Sequence, residues 1–454
     1  MEIKQITNNY KQLEEEWCTV QNDIARKSNC GVSRDGKLVF VILANIVILL
    51  SLGILLWLVC SQFYGSETKC NLVKEDEQLN VSALRSSESQ STVVSCYYNF
   101  PDPNNTKQLL PGDVHPHLCT HINVAFASVV NKEIKLEAHH YDTLHELVKL
   151  KLQNPKLKIL LSVGGAHGDT GFPNMVVDHA SRKTFIKSLK YILRNHSLDG
   201  VDLDWEFPGL HGTQRGRERQ HFSQLLREIR MEYIREKRDY ILTVAAAAPE
   251  AIADVSYDVD QMNRYVDFVN VMTYDFHYYS KYTPFTGLNS PLFARAGESL
   301  FPATLNVNYT VNMYRGRGLD ARRLVVGIPT YGHSFALVTA ANAQVGAPAR
   351  GVGALGSLGF ADYAVACAFV RAGAAARRDA AAQVPYALRG DQWLSYDDPR
   401  SVRAKAGFVR GAGLRGAMIY SLNADDYGGS CGGAFPTRPV DLKLKRKSIP
   451  PCVQ

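Results

Sequence analysis

Residues 199–208 read DGVDLDWEFP, placing carboxyl groups at Asp202, Asp204 and Glu206 and apolar groups at Val201, Leu203 and Trp205. Successive side chains of a strand point to opposite faces, so the acids would share one face and the apolar groups the other. Acidic residues form strands poorly, and three at this spacing repel one another unless they share protons or hydrogen bonds. Such an arrangement costs stability and calls for a function, and coupled carboxyls are suited to acid–base chemistry. A solvated edge-strand face is the simpler alternative, but apolar residues flank the acids on both sides. Asp199 precedes the set at the start of the strand.

The elements that must position these acids recur along the chain. Apolar, strand-like runs occupy 93–98, 122–127, 158–163, 200–206, 241–247, 268–275, 324–329 and 416–421. Amphipathic stretches lie between several of them, as in 217–237, where Phe222, Leu225, Leu226, Ile229 and Tyr233 recur at helical spacing. Strands alternating with helices imply a parallel sheet, and eight such units predict an α/β fold, the closed (β/α)8 TIM barrel. Chemistry then belongs at the C-terminal strand ends, with Glu206 emerging into a cleft and Asp204 and Asp202 progressively deeper. The longest interruption, about 334–396, predicts a small α+β insertion between the seventh and eighth strands. Its alanine-, glycine- and arginine-rich middle, 372–382, carries no readable pattern.

The 454 residues are 46% hydrophobic, enough for a sizeable core, and carry a formal charge of +7. The cations are scattered apart from the run KLKRK at 443–447, so 437–454 reads as a solvated basic tail and no nucleic-acid partner is expected. Residues 38–60 contain no charge, and as a helix they would span a hydrocarbon core of roughly 30 Å. Arg26, Lys27, Arg34 and Lys37 precede this stretch, which predicts a cytoplasmic tail over 1–37 and a type II, single-pass signal anchor. Four Asn-x-Ser/Thr sequons, at Asn80, Asn104, Asn195 and Asn308, all lie beyond it, in agreement with an extracellular or luminal C-terminal bulk. The serine-rich, acidic 61–92 reads as a stem, followed by a folded domain over 93–436.

The chain resembles the family 18 glycoside hydrolases, and within them the animal chitinases and chitinase-like lectins. DGVDLDWEFP matches that family's DxxDxDxE signature in full. KILLSVGG (158–165), MTYDF (272–276), GIPTYGHSF (327–335) and GAMIYSLNADDYGGSC (416–431) agree with it in order and spacing. The resemblance implies hydrolysis of β-1,4-linked N-acetylglucosamine with the substrate's own 2-acetamido oxygen as nucleophile, a scheme that needs one protonating carboxyl. It makes Glu206 the general acid/base, Asp204 the residue that orients the acetamido group, Asp202 a partner sharing a proton beneath it, and Asp199 a structural position. It makes Tyr274 the hydroxyl that holds the acetamido carbonyl, and Asp275 and Tyr331 sugar-binding residues. It also implies the disulfides Cys96–Cys119 and Cys367–Cys431, leaving Cys18, Cys30, Cys60, Cys70 and Cys452 without a family partner.

The departures concern the sugar platform. Only four tryptophans exist, Trp17, Trp57, Trp205 and Trp393. Ala166 follows Gly165 where the family has tryptophan, Tyr420 stands at the platform position, and Phe100 lies where another tryptophan is usual. Tyrosine still stacks on a sugar and alanine does not, so a weakened or altered grip on chitin oligomers is expected. The alternatives are a chitin- or glycan-binding lectin without turnover and an endoglycosidase acting on N-glycans. No cofactor or metal is expected: His139 and His140 fall in a loop or helix start, His333 replaces a frequent arginine, and no Cys/His cluster has zinc spacing.

Overall fold

The computed structural model describes residues 92–105, 107–166, 168–210 and 215–431. The apolar stretch 38–60, the sequon at Asn80, most of the expected stem and the basic tail lie outside the described residues. Among the described residues no helix is long and apolar enough to cross a membrane.

Eight parallel strands close into a barrel: β1 (Val93–Asn99), β2 (His121–Val130), β4 (Lys158–Gly164), β5 (Gly200–Asp204), β6 (Ile241–Ala247), β7 (Phe268–Met272), β8 (Leu324–Pro329) and β15 (Gly416–Tyr420). The ring closes where β1 pairs with both β2 and β15, and a short β3 (Glu133–Lys135) adds antiparallel to β2. Three strands end earlier than their apolar runs, β15 by a single residue at Tyr420. β5 stops at Asp204, and β7 stops at Met272, where the Thr273 and Tyr274 amides bond back two residues to Val271 and Met272.

Between strands, helices cover the barrel with their apolar faces. In Arg215–Arg235 the residues Phe222, Leu225, Leu226, Ile229 and Tyr233 are all buried, alongside Val201, Leu203 and Trp205 of the β5 region. The apolar half of DGVDLDWEFP thus faces the barrel–helix layer, which leaves its acids to the barrel interior. Burial of each such side chain stabilises the fold by about 1.5–3 kcal/mol before conformational entropy is subtracted.

The insertion is an antiparallel sheet with one helix. It runs from β9 (Tyr331–Leu337) through β10 (Ala349–Val352), β11 (Phe360–Asp362), helix Tyr363–Arg371, β12 (Ala375–Asp379) and β13 (Val384–Arg389) to β14 (Gln392–Ser395). It therefore starts at Tyr331, three residues before the expected boundary, and the unreadable 372–382 contributes the edge strand β12. Cys367 on the insertion helix is bonded to Cys431 beyond β15, and Cys96 of β1 to Cys119 before β2. Asn104 and Asn195 are exposed, whereas Asn308 is half-buried near the start of helix Val307–Gly316.

His121 opens β2 at the barrel's N-terminal end, 2.8 Å from Thr120 Oγ1 and edge-on to Phe268. Burial pushes its pKa down to about 3, helped by the charges of Arg415 and Lys158 and opposed by Asp267. The unfolded chain protonates this ring near 6.5, so below that pH it binds the additional proton. Stability should fall as pH drops from about 6.5 toward 3, by about 2 kcal/mol at pH 5 from this group. Urea unfolding at pH 7 and pH 5 should show a smaller acid loss in His121→Asn; equal losses would acquit His121.

Candidate active site

Strand register brings the acids to their partners. In the parallel ladders Ser162 of β4 and Thr243 of β6 lie directly beside Asp202 of β5. Asp202 is fully buried, and its Oδ2 accepts hydrogen bonds from Tyr97 (2.7 Å) and Ser162 (2.8 Å). Its Oδ1 accepts from Thr243 (2.6 Å) and from the Asn270 amide (3.2 Å). Burial pushes the Asp202 pKa up, and these four bonds pull against it without reversing the direction. The group is therefore primed to take up a proton.

Asp204 ends β5 on the same face and is also buried. Its carbonyl accepts the Gly165 amide at 2.8 Å. Gly164 and Gly165 both adopt positive φ here; a Cβ on Gly164 would lie 2.0 Å from the Asp204 carbonyl, and one on Gly165 2.8 Å from the Phe126 ring. The paired glycines of KILLSVGG thus let the β4 end pass close to the acids. Glu206 lies beyond the strand end, half-buried, and is followed by a cis bond to Phe207. Its burial, and that of Asp204 and Asp202, reproduces the expected gradient from cleft to barrel interior.

Phenols surround the carboxyls. Tyr274 is buried just past β7, with ring centroids 5.7 Å from Tyr420 and 6.0 Å from Tyr331. Burial first, and then coupling to the neighbouring Tyr420 phenol and the charges of Asp204, Asp275 and Glu206, drive its hydroxyl pKa well up. Burial and the charges of Asp204 and Glu206 also raise Tyr420, and Tyr257 feels both acids as well. These hydroxyls keep their protons and serve as donors near neutral pH. Asp275 sits at φ 56°, its amide donating to Asn289 Oδ1 at 2.9 Å, and its Oδ1 accepts from the Tyr331 hydroxyl (2.6 Å) and lies 2.7 Å from His333 Nε2.

Two of the expected residues lie apart from this cluster. Asp199 accepts the Ile159 amide at 2.7 Å and pairs with Lys151 at 2.5 Å, joining the starts of β4 and β5 at the opposite end of the barrel. Phe100, just past β1, has its ring stacked on His140 at 3.9 Å, so an imidazole covers one face. Ala166 is exposed immediately after Gly165.

Sequence reasoning did not single out Tyr97, Ser162, Thr243 and Asn270 as partners of Asp202. The signal was present, because each is a polar atom inside an otherwise apolar strand, and buried polar groups need partners. It also missed Phe360 on β11, stacked on Tyr331 at 4.2 Å, and Phe126, whose ring lies 6.2 Å from Tyr97. Glu137, His139 and His140 come within 4.8 Å of one another. A helix cap accounts for two of them: the Glu137 side chain accepts from the backbone of His140, while the Glu137 amide donates to His140 Nδ1 at 3.2 Å.

Comparison with known proteins places this geometry. The sequence profile of Glycosyl hydrolases family 18 matches residues 93–425. Chitotriosidase-1 of Mus musculus is 40% identical over 334 residues, covering 71% of this chain and 70% of that protein. The structure of human YKL-39, described as a pseudo-chitinase with retained chitooligosaccharide binding properties, superposes with a TM-score of 0.72 at 35% identity, covering 78% of this chain and all of that one. A Group IV chitinase of Ostrinia furnacalis superposes equally well, at a TM-score of 0.72 and 32% identity, over the same shares. The matched barrel carries the complete acid motif, and the chain belongs to glycosyl hydrolases family 18.

Proposed function

We propose that this protein hydrolyses β-1,4-linked N-acetylglucosamine oligomers by a substrate-assisted, retaining mechanism. The observation that carries this reading is the stacked set Asp202, Asp204 and Glu206, retained with its hydrogen-bond partners and facing the phenols of Tyr274 and Tyr420. Glu206 donates its proton to the glycosidic oxygen as that bond breaks, and the acetamido oxygen of the same sugar attacks the anomeric carbon. Asp204 steadies the acetamido N–H and the cationic oxazolinium that forms, with its own charge supported by the raised proton affinity of Asp202. The Tyr274 hydroxyl holds the acetamido carbonyl. Water, giving a proton to the Glu206 carboxylate, then opens the oxazolinium from the face the leaving sugar vacated, so configuration is retained.

Asp275, Tyr331 and Tyr420 contact the sugar at the cleavage point in this reading, and Phe360 extends their apolar surface. The charge-free stretch 38–60 with its preceding cations, and the position of all four sequons beyond it, support a type II anchor that presents the barrel outside the cytoplasm.

The test is release of fluorophore from a chitobiose glycoside by the full-length chain, with the first-formed anomer of an oligomer product followed by NMR. Turnover giving the β-anomer first is expected. A second reading, oligomer binding without cleavage, is favoured by Ala166 and by the 35% identity to a pseudo-chitinase. Binding of an N-acetylglucosamine tetramer with no turnover between pH 3 and 8 would decide for it.

A further inference from the structure

Asn289 lies in the long connection between β7 and β8, is fully buried, and touches three separate parts of the mouth. Its Oδ1 accepts the Asp275 amide at 2.9 Å, and its carbonyl accepts the Phe276 amide at 3.0 Å. Its side-chain amide donates to the Tyr331 carbonyl at 3.2 Å, and its backbone amide donates to Ser395 Oγ at 2.8 Å. One residue thus ties the loop after β7 to both the first and last strands of the insertion. The next residue, Ser290, donates to the Thr273 carbonyl at 2.6 Å and accepts from Lys405 at 2.7 Å, fixing the same loop from beneath.

The tie falls on a demanding backbone. Asp275 is a non-glycine residue at φ 56°, a conformation of the left-handed region that costs a β-carbon-bearing residue energy unless the surroundings impose it. Asn289 bonds to the amide of that residue and of the one after it. The carboxylate so oriented takes the hydroxyl of Tyr331, whose own carbonyl Asn289 also holds.

We infer that Asn289 is a positioning residue: it holds the Asp275 carboxylate and Tyr331 of the insertion in register, and so sets the affinity of the cleft for an N-acetylglucosamine oligomer. This rests on the proposed substrate class. Asn289 itself is covered by protein and acts through Asp275 and Tyr331.

Two measurements on the full-length chain separate this inference from the reading beneath it. Hydrogen exchange probes the tie without any ligand: the Asp275 amide, bonded to the Asn289 side chain, should be protected in the wild type and exchange faster in Asn289→Ala, while the Phe276 amide, bonded to the Asn289 backbone carbonyl, and the other barrel amides keep their protection. Calorimetry with the N-acetylglucosamine tetramer should show about tenfold weaker binding for Asn289→Ala and a smaller loss for Ser395→Ala. In a double-mutant cycle the Asn289→Ala and Asp275→Ala losses should be less than additive, because part of the Asn289 effect works through Asp275. Full additivity, or wild-type affinity in a folded Asn289→Ala, overturns the inference, as does unaltered exchange at Asp275. A wild type that binds no tetramer overturns the substrate reading instead, and with it the role in affinity, while faster exchange in the variant still upholds the tie.

Discussion

Glu206→Gln is expected to lower the rate of oligomer hydrolysis by about 10²–10⁴-fold while leaving tetramer affinity within a few fold. The substitution keeps the side chain's shape and removes the proton that must reach the glycosidic oxygen. The other acids are poorly placed to replace it. Asp202 is engaged on both oxygens by Tyr97, Ser162, Thr243 and Asn270 inside the barrel, and Asp204 remains within the strand and buried. Glu206 alone of the three lies past the strand end and is not fully buried. Single-turnover rates and calorimetry on the same preparation check the two halves of this expectation. An unchanged rate would exclude Glu206 as the proton donor, and lost affinity with an unchanged rate would make it a binding group.

The barrel was legible because its signals are local. Apolar runs of six to eight residues, separated by helical periodicity, predict eight parallel strands, and β6 and β8 fall on the runs 241–247 and 324–329. Glu206 and Asp204 stood out for the same reason, as period-two spacing within one apolar run, although the strand itself ends at Asp204. The residues that hold the acids in place were harder to read. Ser162, Thr243 and Asn270 meet Asp202 only through the register of neighbouring strands, which spacing along one strand does not encode. Asn289 sits in a connection without periodicity, and its partners Ser395 and Tyr331 are 106 and 42 residues away. Phe360 reaches the mouth from the insertion, where alternation and propensity gave little guidance. Ala166 offers no ring, but Phe126, Phe360 and Tyr420 pack aromatic carbon against the cluster that holds Tyr97, Tyr274 and Tyr331.

Lys405→Met is expected to destabilise the folded protein by about 3–5 kcal/mol. Lys405 lies on helix Pro399–Gly411, between β14 and β15, and its ammonium is wholly buried. It donates to Asp397 Oδ2 at 2.7 Å and to Ser290 Oγ at 2.7 Å. Burial lowers its pKa, and the Asp397 carboxylate opposes that shift, so desolvation is the larger influence on the lysine. A pair in that condition adds little net stability as a pair, but removing one partner abandons the other in a low-dielectric interior. Asp397 is itself buried, so methionine of similar length would fill the space and leave the carboxylate uncompensated. Adding Asp397→Asn to Lys405→Met should recover much of the loss, because no buried charge then remains. Urea unfolding of both variants at pH 7 measures this, and a loss below about 1 kcal/mol in Lys405→Met would mean that Asp397 finds another partner or water. The ammonium also anchors Ser290, next to Asn289, so any stable Lys405 variant should bind the tetramer less tightly as well as unfold more readily.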